Sequence, residues 1–297
     1  MRQIVQCVPN ISEGRRLDVV ERIVDQIRQT AGVQLLDYSS DHDHNRSVIT
    51  FVGDLLSVQE AALRMTAKAV ELINMEEHQG AHPRIGAVDV VPLIPIEGVT
   101  MQECVEAAVE LAKRITAELG VPTYLYGEAA AKPSRRNLSN IRRGQYEGLK
   151  KSIGQEERHP DFGSPQLHPS AGATVVGARL PLIAFNVNLG TDRKEVADQI
   201  ARCVRERNGG FKNVKAMGVV LEERRQVQVS MNLENYHDTP IYRVLEAIRR
   251  DAARFGVPVV GTEIVGLIPQ QALVDVAAWY LQLESFDPQQ VLENRLR

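Results

Sequence analysis

The sequence predicts an α/β (α+β) protein of two subdomains, each on the split β-α-β plan of ferredoxin-like folds. Three observations carry this prediction. The order strand, helix, strand, strand, helix, strand is readable over residues 4–94 and again over 182–261. The strand candidates are short, β-branched runs, whereas the helix candidates repeat apolar residues at three and four. Between the two series, residues 129–172 are rich in cations and turn formers and weak in periodicity. The subdomains are accordingly taken as residues 1–177 and 178–297, alike in topology but without a residue-level repeat.

In order, residues 4–8 make an apolar strand, closed by the turn chemistry of Pro9-Asn10 and Ser12-Glu13-Gly14. Val20, Ile23, Val24 and Ile27 then recur at helical spacing. Residues 33–38 and 48–53 read as an antiparallel hairpin joined by the polar Asp41-His42-Asp43-His44-Asn45-Arg46. A helix over 56–73 turns Ala61, Ala62, Met65, Ala69 and Val70 inward, and a strand lies at 88–95. A helix over 100–119 opens on Thr100, with Glu103 three residues on, the pattern of a capping box. A strand at 122–126 follows.

In the second series, residues 183–189 alternate as a strand, and Thr191 or Asp192 is placed to cap a helix carrying Val196, Ile200 and Val204. Strands at 214–221 and 227–232, a helix through Ile241, Val244, Leu245 and Ile248, and a strand from Pro258 complete it. A last helix over 270–283 carries the only tryptophan, Trp279, which is expected in the core.

With 297 residues, 43% hydrophobic and 25% charged, the chain has the composition of an ordinary globular protein. A net charge of -3 argues against a nucleic-acid partner. No uncharged apolar run approaches the ~18 residues of a membrane span, and none follows a basic start. No membrane partner is therefore expected, and the location is expected to be cytoplasmic. Cys7, Cys104 and Cys203 lack any Cys-x-x-Cys spacing and read as buried thiols in a reducing compartment.

Chemistry-bearing residues concentrate in His78-Gln79-Gly80-Ala81-His82-Pro83-Arg84-Ile85-Gly86-Ala87-Val88-Asp89. Gly80 and Pro83 exclude a helix interior, and Pro83 pushes His82 towards extended backbone. The four-residue spacing of His78 and His82 would suit a metal only on a helix, so no metal is expected. Taken by itself, His82 reads as an ordinary surface-loop histidine. The Asp41 to Arg46 cluster reads as a polar hairpin loop rather than a metal site. The eight cations between Lys132 and Arg158 read either as a solvated face or as a field that attracts an anionic ligand. No P-loop, Gly-x-Gly-x-x-Gly or Gly-x-Ser-x-Gly is present.

Several motifs are more specific. Val8-Pro9-Asn10-Ile11-Ser12-Glu13-Gly14 resembles the opening motif of the formiminotransferase family. The resemblance continues through Leu35-Leu36-Asp37, Asn45-Arg46, Thr50-Phe51-Val52-Gly53 and the glycine- and histidine-bearing stretch from Gly80 to Asp89. It resumes at Tyr124-Leu125-Tyr126-Gly127-Glu128, Asp161-Phe162-Gly163, Gly177-Ala178-Arg179, Leu182 to Leu189, and Val265-Gly266-Leu267-Ile268-Pro269. It covers essentially the whole chain, which looks like the transferase region without the cyclodeaminase to which it is fused in animals.

The resemblance implies transfer of a formimino group from N-formimino-L-glutamate to N5 of tetrahydrofolate, a step of histidine degradation and one-carbon metabolism. Tetrahydrofolate is then a co-substrate, held in an electropositive channel between the subdomains, and a homodimer is the implied assembly. The family's catalytic histidine falls on His82. Its folate-binding segment falls on Gly163, Ser164, Pro165, Gln166, Leu167, His168, Pro169, Ser170, Ala171 and Gly172. Arg84 is a further expected carboxylate binder, as are cations of the 132–158 region.

In one respect the chain departs from the family pattern: Ser39 stands where an acid is usual, two positions after Asp37. Either Asp41 or another acid replaces it, or the base is weaker, or the donor differs. Transfer between 5-formyltetrahydrofolate and glutamate, and folate binding without turnover, are the alternative readings.

Overall fold

The computed structural model describes residues 3–295. The chain divides into two compact units, the first ending at Arg179 and the second beginning at Leu180.

The first unit opens with β1 (Ile4–Cys7) and β2 (Asn10–Ile11), two pieces of one strand interrupted at Val8-Pro9. Both pieces pair with β4 on one side and β5 on the other. Pro9 has no N–H to donate, but its carbonyl accepts from Ile49 N at 3.0 Å, which keeps the break inside the sheet. The turn expected at Pro9-Asn10 is thus a break within a strand. Then come α1 (Leu17–Arg28), β3 (Val33–Asp41), β4 (Arg46–Gly53), α2 (Leu55–Leu72), β5 (Val88–Glu97), α3 (Met101–Leu119) and β6 (Thr123–Gly127). Two short helices, α4 (Leu138–Ile141) and α5 (Gln145–Ser152), precede β7 (Thr174–Ala178).

β3 and β4 form the expected antiparallel hairpin, and the sheet order β3-β4-β1/β2-β5 is that of the ferredoxin-like plan. β7 and β6 extend it in parallel beyond β5, making seven strands. The sequence reading places no strand between the turn-rich stretch of 129–172 and residue 177, and β7 corrects this. Val175 and Val176 are fully buried, because α3 covers one face of this parallel part and α4 and α5 the other.

The capping box on α3 forms as expected: the Thr100 hydroxyl accepts from Glu103 N, and the Glu103 carboxylate accepts from Thr100 N at 2.7 Å. Thr100→Ala is expected to destabilise the unit by about 1 kcal/mol, seen as a fall of a few degrees in Tm. An unchanged Tm would show that this cap contributes nothing.

The basic stretch is a solvated face only in part: Lys132, Arg136, Arg143, Lys150 and Lys151 are exposed, and the other cations are packed in. Arg135 is buried, its guanidinium 2.6 Å from Asp161 and capping the His159 carbonyl. Arg158 donates to the carbonyls of Asn140, Ile141 and Arg143, and Arg136 grips Glu128. These cations hold α4 and α5 down over a small core that contains Ile141, Leu149 and Ile153.

The second unit comprises β8 (Ile183–Leu189), α6 (Lys194–Val204), β9 (Val214–Leu221), β10 (Gln226–Leu233), α7 (Ile241–Arg254), β11 (Val259–Val265) and α8 (Gln270–Tyr280). Its sheet order, β11-β8-β10-β9, is again the ferredoxin-like one, with every pairing antiparallel. The helix expected to be capped by Thr191 or Asp192 instead starts after Arg193, which receives no side-chain cap. Trp279 is 45% exposed and stacks on Tyr242 at 4.8 Å between centroids, so it lies at the surface rather than in the core. Cys7 and Cys104 are buried, whereas Cys203 is exposed. Among the described residues, no helix is long and apolar enough to cross a membrane.

Candidate functional site

The opening motif is a set of joints around one end of the first unit's sheet. Ser12 donates through its hydroxyl to the Gly86 carbonyl and through its backbone to Ala87 O. The Glu13 carbonyl accepts from Ser47 Oγ, and its buried carboxylate accepts the backbone N–H groups of Arg15 and Arg16 at 2.9 Å. Burial opposes that charge, but these donors and the Arg16 guanidinium hold the Glu13 pKa below the ordinary carboxylate value. Gly14 lies flat against the hairpin end, where a Cβ would overlap the backbone of Asp41 and Arg46.

Asn45 is the hub. It sits in the left-handed region, with φ 45°, a conformation that Asn tolerates better than most residues. Its side chain accepts from Gly14 N and donates to Gln79 O, both at 2.9 Å, while its carbonyl accepts from His78 Nε2. A Cβ on Gly80 would overlap the His44 carbonyl, so only glycine allows this approach. The loop of residues 78–82 is therefore docked on the β3–β4 turn, and the Asp41 to Arg46 cluster is a wall of the site rather than a free polar loop.

His78 is held in one tautomer. Arg84 Nε–H donates to its Nδ1 at 3.1 Å, so the proton is on Nε2 and goes to Asn45 O. Burial first, and then the Arg84 charge, lower its pKa. With both ring nitrogens engaged, His78 has no lone pair for a metal.

Arg84 corrects an expectation. It is 5% exposed, and its five N–H donors are all committed: to His78 Nδ1, His78 O, Gln145 Oε1 and both oxygens of Glu147. It is a clamp between the histidine loop and α5, with no donor left for a substrate carboxylate.

His82 is half-buried, and no described residue hydrogen-bonds its ring. Its ring meets that of His44 edge-on at 6.5 Å between centroids. His44 Nδ1 is 2.7 Å from the Asp41 carboxylate, which also accepts from His44 N. Partial burial opposes the Asp41 charge, but these bonds keep its carboxyl below the usual range. Asp41 is thus hydrogen-bonded to the imidazole whose ring meets that of His82. For His82 itself, burial, then the charges of Arg46 and Arg142, then His44 and Arg84, push the pKa from 6.5 to about 2. The ring is neutral across the physiological range, and a weak base as it stands.

Sequence reasoning did not single out Arg46 and Arg142. Arg46 begins β4 and Arg142 follows α4, where it pairs with Asp89, a carboxylate 1% exposed that also accepts from Ile85 N at 2.9 Å. Arg46 stood within a quoted motif, but nothing in the spacing ties Arg142 to residue 89.

Residues 163–172 run between two anchor points. Gly163, with φ 96°, packs against Thr116 and Pro122, and residues 163–166 are exposed. His168 Nδ1 accepts from Ala171 N at 3.1 Å, and burial lowers its pKa. At the far end Ser170 O accepts from Met75 N, Ala171 O accepts from Ala87 N, and Gly172 bridges to Gly86. The structure therefore joins Ser170, Ala171 and Gly172 to the segments that flank the histidine loop, while Gly163 is anchored at the α3–β6 connection.

The chain matches two family models, one described as the formiminotransferase domain, N-terminal subdomain, over residues 4–179, and one as the formiminotransferase domain, over 184–294. It is 50% identical to a glutamate formimidoyltransferase of Streptococcus pyogenes serotype M1, covering 100% of this chain and 99% of that protein. A protein of the same name from Thermoplasma acidophilum is 49% identical, with 99% and 97% covered. The formimidoyltransferase-cyclodeaminase of Mus musculus is 47% identical over 96% of this chain and 53% of its own length. With both halves matched and identity near one half along the whole length, the chain belongs to the formiminotransferase family.

Proposed function

We propose that this protein transfers the formimino group from N-formimino-L-glutamate to N5 of tetrahydrofolate, releasing glutamate and 5-formiminotetrahydrofolate. The observation that carries the reading is the end-to-end similarity to proteins named glutamate formimidoyltransferase. In this reading N5 bonds to the amidine carbon, and the bond from that carbon to the glutamate nitrogen breaks. His82 takes the N5 proton and returns it to the departing nitrogen. Folate is held by residues 163–172, and bringing both substrates together removes much of the entropic barrier. The enzyme works in the cytoplasm as a homodimer, in one-carbon metabolism, without a metal.

The test is an assay of purified protein with tetrahydrofolate and formiminoglutamate, run beside glutamate with 5-formyltetrahydrofolate. Rapid formation of 5-formiminotetrahydrofolate is expected. Turnover only in the formyl arm would replace the donor, and folate binding with no turnover in either arm would remove the enzyme assignment.

A further inference from the structure

Beside His82 the chain leaves cationic donors unused. Arg46 and Arg142 each bury an Nε–H with no acceptor among the described residues. The buried arginines of the unit do not behave this way: Arg84 spends every donor, and Arg135 is paired with Asp161 and two carbonyls. Arg142 has Asp89 for one of its nitrogens, whereas no described residue accepts from the Arg46 guanidinium. The two groups also oppose each other. Burial first, and then the Arg142 charge, lower the Arg46 pKa, with Asp41 and Asp89 only partly offsetting them. Two desolvated guanidinium forks with open donors form a receptor for a planar oxyanion.

We propose that Arg46 and Arg142 together form the subsite for one carboxylate of the group donor, placed beside His82. This inference rests on the reading of the site as a formiminotransferase. Carboxylates could come from the donor or from the glutamate tail of the folate. In the donor, a carboxylate is three bonds from the amidine carbon that N5 attacks. In folate, an aromatic ring separates the tail from N5. A subsite adjoining the base therefore suits the donor.

The subsite also explains how a histidine so poor in basicity can serve. The charged and titratable groups acting on His82 are Arg46 from β4, Arg142 from the end of α4, His44 from the β3–β4 turn and Arg84 from its own loop. All oppose its protonation. An anion seated on the two arginines cancels the largest of these charges, so the ring regains part of its proton affinity when the donor arrives, while the effect of burial remains. The base is weaker in the empty site than in the loaded one.

The probe is glutarate, a dicarboxylate without a transferable group, followed by NMR of the His82 ring protons. Glutarate is expected to move the His82 titration upward towards 6.5 in the wild type, and not in Arg46→Gln. In steady-state assays Arg46→Gln is expected to raise KM for formiminoglutamate roughly 10- to 100-fold, the range for losing charge-assisted hydrogen bonds. KM for tetrahydrofolate should stay within about twofold of wild type, and Arg46→Lys should recover part of the loss, since it restores charge without the fork. A raised KM for tetrahydrofolate alone would assign the arginines to the folate tail and overturn the proposal. So would an unchanged donor KM, or a His82 titration indifferent to glutarate. If the wild type transfers no formimino group yet glutarate still shifts His82, the carboxylate subsite stands and the proposed reaction falls.

Discussion

Replacing His82 by alanine is expected to cut formimino transfer at least about 100-fold at neutral pH, the effect of losing a general base. The same change should make the protein less sensitive to acid. The His82 pKa is held at about 2, against 6.5 in the open chain, so the unfolded chain binds a proton that the folded one refuses. Stability from this group is complete above 6.5 and is lost as pH falls towards the folded value. Between pH 7.5 and pH 5 the wild type should therefore lose about 2 kcal/mol more than His82→Ala, at 1.36 kcal/mol per unit. Urea unfolding of both proteins at the two pH values measures the difference. Parallel pH dependence would mean that His82 is not held neutral by its neighbours. Wild-type turnover in the variant would remove it from the proposed chemistry.

Asp89→Ala should give the largest loss of stability, about 3–5 kcal/mol, as expected when one partner of a buried ion pair is removed. Asp89 is 1% exposed and serves two groups, the Ile85 N–H and the Arg142 guanidinium. Without it a buried cation has no counter-charge and the backbone just after Arg84 loses its anchor. Asp89→Asn keeps an acceptor for Ile85 N and should recover part of the loss, though not the charge. A loss below about 1 kcal/mol, within the range of surface ion pairs, would show that water reaches Arg142 freely.

Most of the fold was legible because its helices are amphipathic and its strands are bounded by turn residues. α1 shows this plainly: Val20, Ile23, Val24 and Ile27 are buried, together with Val19. β7 was not legible, since Thr174–Ala178 is a brief apolar run amid glycines and alanines. A strand buried on both faces shows no alternation. Trp279 was misplaced because composition favours burying an aromatic residue, whereas this one finds its partner in Tyr242 at the surface. At the site, His82 stood out through its neighbours in sequence. Arg84 was taken for a ligand binder because an arginine's free donors are invisible until its partners are known. Its main partner, Glu147, lies 63 residues away, and that of Arg142 lies 53 away.

The position of the first strand has a consequence for biosynthesis. Residues 4–11 lie in the interior of the seven-stranded sheet, between β4 and β5. The strand therefore finds its first edge only when β4 is complete at residue 53, and its second only when residue 97 has been made. At roughly 5–20 residues per second, that interval lasts several seconds to about 20 s. For that time at least one edge of an apolar strand is unpaired on the nascent chain. The first unit is thus a natural client for chaperones that bind emerging polypeptide, and so is the second, whose first strand β8 lies between β10 and β11.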